Sequence, residues 1–275
     1  MTMKTIPFTK MAGAGNDFVV IDAQAGLNYK KLTEKICDRN NGIGADGLLI
    51  LEKSKKADYR MRIINADGSE AEMCGNGARC MAAYIVKNKS PKRKLFSLET
   101  IAGIILVEAK GEVANVRLSD PKDYHSHISL SVHGRDIRVS YIDTGVPHTI
   151  LYVDDLKIID VKTIGQVIRF HDHFKPRGTN VNFVEQLDND LVEVRTYERG
   201  VEDETKACGT GAVAAGIVTY LKSHPNIHDA QKANIKVKTA SREILNITFT
   251  LTKGHITHVW LKGSAKFIAK GEYYV

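Results

Sequence analysis

Two cysteines in this 275-residue chain occur in matching surroundings. Cys74 opens Cys-Gly-Asn-Gly and Cys208 opens Cys-Gly-Thr-Gly; from them onward MCGNGARCMAAYIV (73–86) and ACGTGAVAAGIVTY (207–220) align without a gap. An almost uncharged, helix-like run follows each. The first turn of a helix carries unsatisfied N–H groups and the positive end of the macrodipole, so a thiol placed there is biased toward thiolate, the form that acts as base or nucleophile. Neighbouring glycines let a ligand approach the backbone, and the same N–H groups then hold a carboxylate. One such cysteine suggests a nucleophile. Two, from matching halves, suggest inversion at carbon: one thiol removes a proton from a chiral centre and the other returns one on the opposite face. The helix N-termini would stabilise the anion between those steps, and no electron-sink cofactor is needed. For a lone Cys-Gly the competing reading, a small buried hydrophobe, is the better one. The aligned pair favours chemistry.

The surrounding pattern supports a duplicated α+β architecture. In the first half, strand signals at 19–22, 48–52 and 59–63 surround a helix over Tyr29–Arg39, and a second helix runs from Cys74 to about Asn88. Short strands separated by glycine turns continue to Leu118. In the second half, strands at 137–142 and 149–153 precede a helix near 160–170, strands at 182–185 and 192–197, and then Cys208 and its helix. From Ile235 to Val275 the pattern is strand and turn. GNDFVV (15–20) is echoed by GTNVNFVE (178–185), in the same order relative to the cysteines. Between Lys206 and Lys222 there is no charged residue, so that helix must be buried on all sides. Each half is therefore expected to curve its strands around one central helix. With no linker between the halves, a cleft between them is the expected site.

Bulk properties set limits. The chain is 43% hydrophobic and 26% charged, enough for a real core, and contains no apolar run of membrane-spanning length. The N-terminal segment lacks the apolar block of a signal peptide, and four cysteines are too few for a disulfide framework, so a reducing cytoplasm is the expected compartment. The +7 net charge resides largely in KSKK (53–56) and KNKSPKRK (87–94), which lack interleaved aromatics and read as solvated loops. Neither nucleic acid nor membrane is an expected partner.

Other motifs carry less. Gly42-Ile-Gly44-Ala-Asp-Gly47 fits GxGxxG, but a helix precedes it and a strand follows, the reverse of the dinucleotide fingerprint. His125-x-His127 and His171-x-His173 lie in polar stretches and read as surface residues, so no metal is expected. Cys37 and Cys80 are expected to be buried. Arg79 is either a ligand contact or, more in keeping with a charge near a helix start, structural.

With these residues in hand, the chain resembles the diaminopimelate epimerases, within the cofactor-independent amino-acid racemases and epimerases. The resemblance runs through GAGNDFVVID (13–22), RNNGIGADGLLIL (39–51), INADGSEAEMCGNGARC (64–80), TGVPH (144–148), TNVNFVE (179–185) and RTYERGVEDETKACGTGA (195–212). It implies conversion of L,L- to meso-2,6-diaminopimelate in lysine and peptidoglycan precursor synthesis, with no cofactor and no metal. Cys74 and Cys208 become the acid/base thiols. Gly75, Asn76, Gly209 and Thr210 become donors to the reacting carboxylate, and Asn16, Asn65, Asn180, Glu198 and Arg199 become further substrate contacts. His148 and Glu198 become the pair that tunes the thiols or holds the amine. Arg199 suits a distal carboxylate because its guanidinium binds bidentately. Two pseudo-symmetric domains are implied, 1–118 with 264–275 and 119–263, and a homodimer. Gly47 and Val146 depart from the pattern of many members, which have Gln and Asn there, and each removes a polar contact to substrate. Two alternatives remain open: a racemase of another amino acid using the same thiols, and a non-catalytic module that binds a small zwitterion.

Overall fold

The computed structural model describes residues 4–225 and 230–275; Met1–Met3, part of the segment read above for a signal peptide, lie outside the described residues. Two compact units result, Met1–Val116 with Lys262–Val275, and Arg117–Leu261.

The first unit opens with β1 (Thr5–Gly13), β2 (Asn16–Asp22), α1 (Tyr29–Ile36), β3 (Gly47–Glu52), β4 (Tyr59–Asn65) and the short β5 (Glu70–Ala71). It continues with α2 (Gly75–Lys89), β6 (Leu95–Thr100), β7 (Gly103–Lys110) and β8 (Val113–Arg117). Antiparallel β1–β2 leads through α1 to a parallel β2–β3 pair, then antiparallel β3–β4 and β4–β5. α2 then carries the chain to a parallel β4–β6 pair, followed by antiparallel β6–β7 and β7–β8. Each parallel pair needs a crossover, and a helix supplies it.

The second unit repeats this order. β9 (Lys122–Val132), β10 (Arg135–Asp143) and β11 (Pro147–Tyr152) are joined by antiparallel pairs. α3 (Val161–Arg169) crosses to the parallel β11–β12 pair, with β12 at Asn180–Asp188. β13 (Leu191–Glu198) and the short β14 (Asp203–Thr205) follow antiparallel. α4 (Gly209–Ser223) crosses to β15 (Gln231–Thr239), parallel to β13, and β16 (Ile244–Thr252) returns antiparallel. β17 (His255–Ser264) and β18 (Lys266–Tyr274) end the chain. β18 pairs antiparallel with β1 as β9 does with β10, so it supplies the first unit with the strand that its own N-terminal segment lacks.

The paired helices differ by depth. α1 buries one face, through Leu32 and Ile36, against Leu48 and Ile50. α2 buries ten consecutive residues, Asn76–Ile85, and α4 likewise buries Gly211–Tyr220. Because α1 and α2 both contact this sheet, β3 is buried from Gly47 to Leu51 without alternation. The sequence placed these helices and most strands. It missed β1, β9 and the short β5 and β14; β9 opens with an exposed polar stretch, Lys122–His127, and only Ile128, Leu130 and Val132 at its far end alternate into the core, so pairing with β10 extends the strand beyond its apolar part. The first helix ends at Ile36, short of Arg39, because Asp38 turns its carboxylate onto the N–H groups of Asn40 and Asn41. The GxGxxG glycines follow α1: Gly42 N–H bonds to Asp38 and Gly44 N–H to Ile36, while Gly47 begins β3.

Candidate active site

Each short strand, β5 and β14, delivers a cysteine to the N-cap of a buried helix. Cys74 has extended geometry (φ −143°, ψ 119°) at the start of α2, and its Sγ accepts the Gly77 N–H at 3.4 Å. Cys208 has similar geometry (φ −112°, ψ 113°) at the start of α4, where its Sγ lies 3.4 Å from Thr210 Oγ1. The N-cap is ordinarily the place of Ser, Thr, Asp or Asn, whose oxygen meets the N2 or N3 N–H. Cysteine puts a sulfur there instead, among the first-turn donors.

In the first unit, Ala14 and Gly15 (φ 50° and 91°) form the two-residue turn that ends β1 and presents Asn16 at the start of β2. Asn16 Nδ2 donates to Asp46 Oδ2 at 3.0 Å, which orients its amide, and its Oδ1 accepts from Asn76 Nδ2 at 2.7 Å. Asn76 Oδ1 accepts from Arg79 Nη2 at 2.7 Å, and Arg79 Nε reaches the Ser264 carbonyl at 3.3 Å. Arg79 is completely buried, so of the two readings of this charge the structural one holds. Asn65 ends β4 opposite Gly47 and donates to Ser69 Oγ at 3.0 Å, outside that chain of bonds. A Cβ on Gly47 would sit 2.7 Å from the Ile64 carbonyl oxygen, a physical reason for glycine here.

In the second unit, His148 on β11 lies opposite Asn180 on β12. His148 Nε2 is 3.0 Å from Thr210 Oγ1, which in turn touches Cys208, and His148 Nδ1 is 3.1 Å from Asn182 Nδ2. Burial pushes the His148 pKa down to about 3, helped by the charge of Arg199, so the ring is neutral. Asn180 Nδ2 donates to the Pro147 carbonyl at 2.9 Å, and its Oδ1 accepts the Arg199 N–H at 2.8 Å. Arg199 Nη1 bonds the Arg177 carbonyl at 3.0 Å. Glu198 accepts from Thr205 Oγ1 at 2.9 Å; burial raises its carboxyl pKa and that hydroxyl opposes the rise.

Thus Asn16, Asn76 and Cys74 gather in one unit, and His148, Thr210 and Cys208, with Asn180 beside Arg199, in the other. Cys37 and Cys80 are buried, while His125 and His127 are exposed. Two residues escaped the sequence reading. Asn182 is fully buried within the apolar run of β12, and a polar residue in such a strand is the signal that was available. Gly211 lies where a Cβ would overlap Asn182 Oδ1, so the second glycine of Cys-Gly-Thr-Gly makes room for that amide.

A sequence model of the diaminopimelate epimerase family matches residues 8–122 and 140–266. A diaminopimelate epimerase of Aquifex aeolicus is 39% identical over 278 residues, covering 96% of each chain. Another, of Caldanaerobacter subterraneus subsp. tengcongensis, is 44% identical over 231 residues, covering 78% of this chain and 84% of that one. Among solved structures, the Bacillus anthracis phenazine biosynthesis protein of the PhzF family superposes with a TM-score of 0.73, over 99% of this chain and 100% of that one. At 17% identity that likeness speaks for the fold alone.

Proposed function

The chain belongs to the diaminopimelate epimerase family, and on that premise we propose that it interconverts L,L- and meso-2,6-diaminopimelate through the thiols of Cys74 and Cys208. One observation carries the residue assignment: a cysteine occupies the N-cap position of each of the two buried helices, in the same Cys-Gly-x-Gly frame.

One cysteine, as thiolate, takes the α-proton. The C–H electron pair passes into the α-carboxylate, and the other cysteine donates its S–H proton to the opposite face of the carbon. No electrons are gained or lost, and the two thiols exchange protonation states at each turnover. The direction of reaction decides which is acid and which is base. First-turn N–H groups at Gly75, Asn76, Gly209 and Thr210 hold the carboxylate as its negative charge grows. The Asn16–Asn76 bond supports this by fixing the start of α2. Arg199, with its backbone held by Asn180, suits the distal carboxylate, and Asn65 is assigned to the same end. Glu198, with its raised pKa, suits the ammonium group or proton exchange with a thiol. Among the described residues no helix is long and apolar enough to cross a membrane; the reading places the enzyme in the cytoplasm, as a homodimer.

Proton NMR in heavy water tests this. Reduced protein without added cofactor should remove one α-proton signal of L,L-diaminopimelate as the meso isomer appears, with lysine and proline inert in parallel tubes. Cys74→Ala and Cys208→Ala should each abolish epimerisation. Near wild-type epimerisation by either variant refutes the two-thiol assignment, and exchange with another amino acid alone moves the substrate.

A further inference from the structure

We propose that Asn182 is a positioning residue: by fixing the tautomer of His148 it turns the Thr210 hydroxyl proton toward the sulfur of Cys208. The inference rests on the reading of Cys208 as an acid/base thiol, and its geometry lies wholly within the second unit.

The bonds follow in order from one unambiguous acceptor. The Thr149 carbonyl can only accept, and Asn182 Nδ2 lies 3.0 Å from it, so the amide nitrogen must be on that side. Asn182 Oδ1 then faces Thr196 Oγ1 at 3.0 Å and accepts its proton. The second N–H of the same amide points at His148 Nδ1, 3.1 Å away. Nδ1 must therefore present its lone pair, and the ring, neutral in this buried place, carries its proton on Nε2. That proton is donated to Thr210 Oγ1 at 3.0 Å. Thr210 has a single hydroxyl proton, which the His148 contact now cannot use, and Cys208 Sγ lies 3.4 Å from its oxygen. A donor aimed at sulfur favours thiolate over thiol. Thr144 Oγ1 braces the segment by donating to the Thr210 carbonyl at 3.2 Å. Toward Thr210, His148 is thus a donor and not a base.

Cys74 provides an internal control. It occupies the same helix position, but its sulfur meets the backbone N–H of Gly77, which no tautomer alters.

Two readouts need no substrate. Long-range proton–nitrogen correlation NMR of the histidine rings should show His148 protonated on Nε2 in the wild type. In Asn182→Asp the carboxylate can only accept, so the proton should move to Nδ1 and the Thr210 hydroxyl should turn to the ring. Peptide-resolved alkylation by iodoacetamide at neutral pH should then slow at Cys208 by roughly tenfold, the worth of one hydrogen bond to a charged acceptor, with Cys74 unchanged. Thr210→Val should slow Cys208 equally without moving the His148 proton, and Thr210→Ser should restore the rate. The Thr210 pair and the wild-type tautomer decide the matter even where Asn182→Asp does not fold. Wild-type His148 protonated on Nδ1, or unchanged Cys208 alkylation in Thr210→Val, overturns the proposal. The expected tautomer and alkylation pattern in a protein that does not epimerise diaminopimelate would sink the functional reading and leave the positioning role intact.

Discussion

Gly77 and Gly211 occupy the same place, third residue of a buried helix behind its cysteine, so Gly77→Ala and Gly211→Ala make a controlled pair. Alanine brings the same helix-propensity gain to both, at most about 1 kcal/mol. Their surroundings differ. At Gly77 a Cβ would lie 3.1 Å from Leu49 Cδ2 and 3.6 Å from Cys74 Cβ, and a leucine methyl can yield by tenths of an ångström. At Gly211 it would lie 3.2 Å from Cys208 Cβ and 3.3 Å from Cys208 Sγ, and would overlap Asn182 Oδ1 outright. Asn182 is fully buried and pinned by Thr149, Thr196 and His148, so it cannot yield without breaking those bonds. Each broken bond costs about 1 kcal/mol, and each polar group left buried without a partner about 1–3 kcal/mol. Net of the propensity gain, Gly211→Ala should destabilise by about 2–4 kcal/mol, while Gly77→Ala stays within about 1 kcal/mol of wild type. For a chain of this size that separates the two melting midpoints by roughly 3–7 °C. Thermal unfolding followed by far-ultraviolet circular dichroism reads both, and fluorescence of the single tryptophan, Trp260, reports on the unit that contains Gly211. Equal midpoints for the two variants, or a Gly211→Ala protein more stable than wild type, would refute the role given to Asn182.

His148 makes stability depend on pH. Its pKa falls from an ordinary 6.5 to about 3 on folding, so between those values the unfolded chain binds a proton that the native one does not. Stability should therefore fall as pH drops through this window, by about 1.4 kcal/mol per unit from this residue. Denaturation midpoints of wild type and His148→Gln against pH test it, and parallel slopes would contradict it. Thiol chemistry should divide the cysteines: burial pushes Cys37 up to about 12 and Cys80 is fully enclosed, so mildly alkaline iodoacetamide should modify Cys74 and Cys208 well before either. Modification of Cys37 in folded protein at a rate like that of Cys74 would count against the packing around α1. Asn180→Ala removes the bonds to the Pro147 carbonyl and the Arg199 N–H, and should raise KM for diaminopimelate roughly tenfold with a smaller change in kcat. An unchanged KM would place Arg199 away from the substrate.

Much of this protein is legible before folding is considered. The Cys-Gly-x-Gly pair, the uncharged run behind Cys208 and the echo of GNDFVV state a duplication, two buried helices and a thiol at the head of each. They do so because helix burial and helix capping are local properties, written in side-chain type and period. Tertiary structure decided what pairing and packing decide. The first half of β9 is exposed and polar, with only Ile128, Leu130 and Val132 at its end turned into the core, and β18 belongs with β1 through backbone bonds that leave little mark on composition. Arg79 is readable either as a ligand contact or as a structural charge until burial and the Asn76 and Ser264 bonds settle it. Asn182 lies in the same run, TNVNFVE, as Asn180, yet one orients a histidine and the other holds the backbone of Arg199. Sequence alone supplies the residue types for chemistry. Which proton faces which atom depends on bonds between strands far apart in the chain, and those exist only once the sheet has closed around its helix.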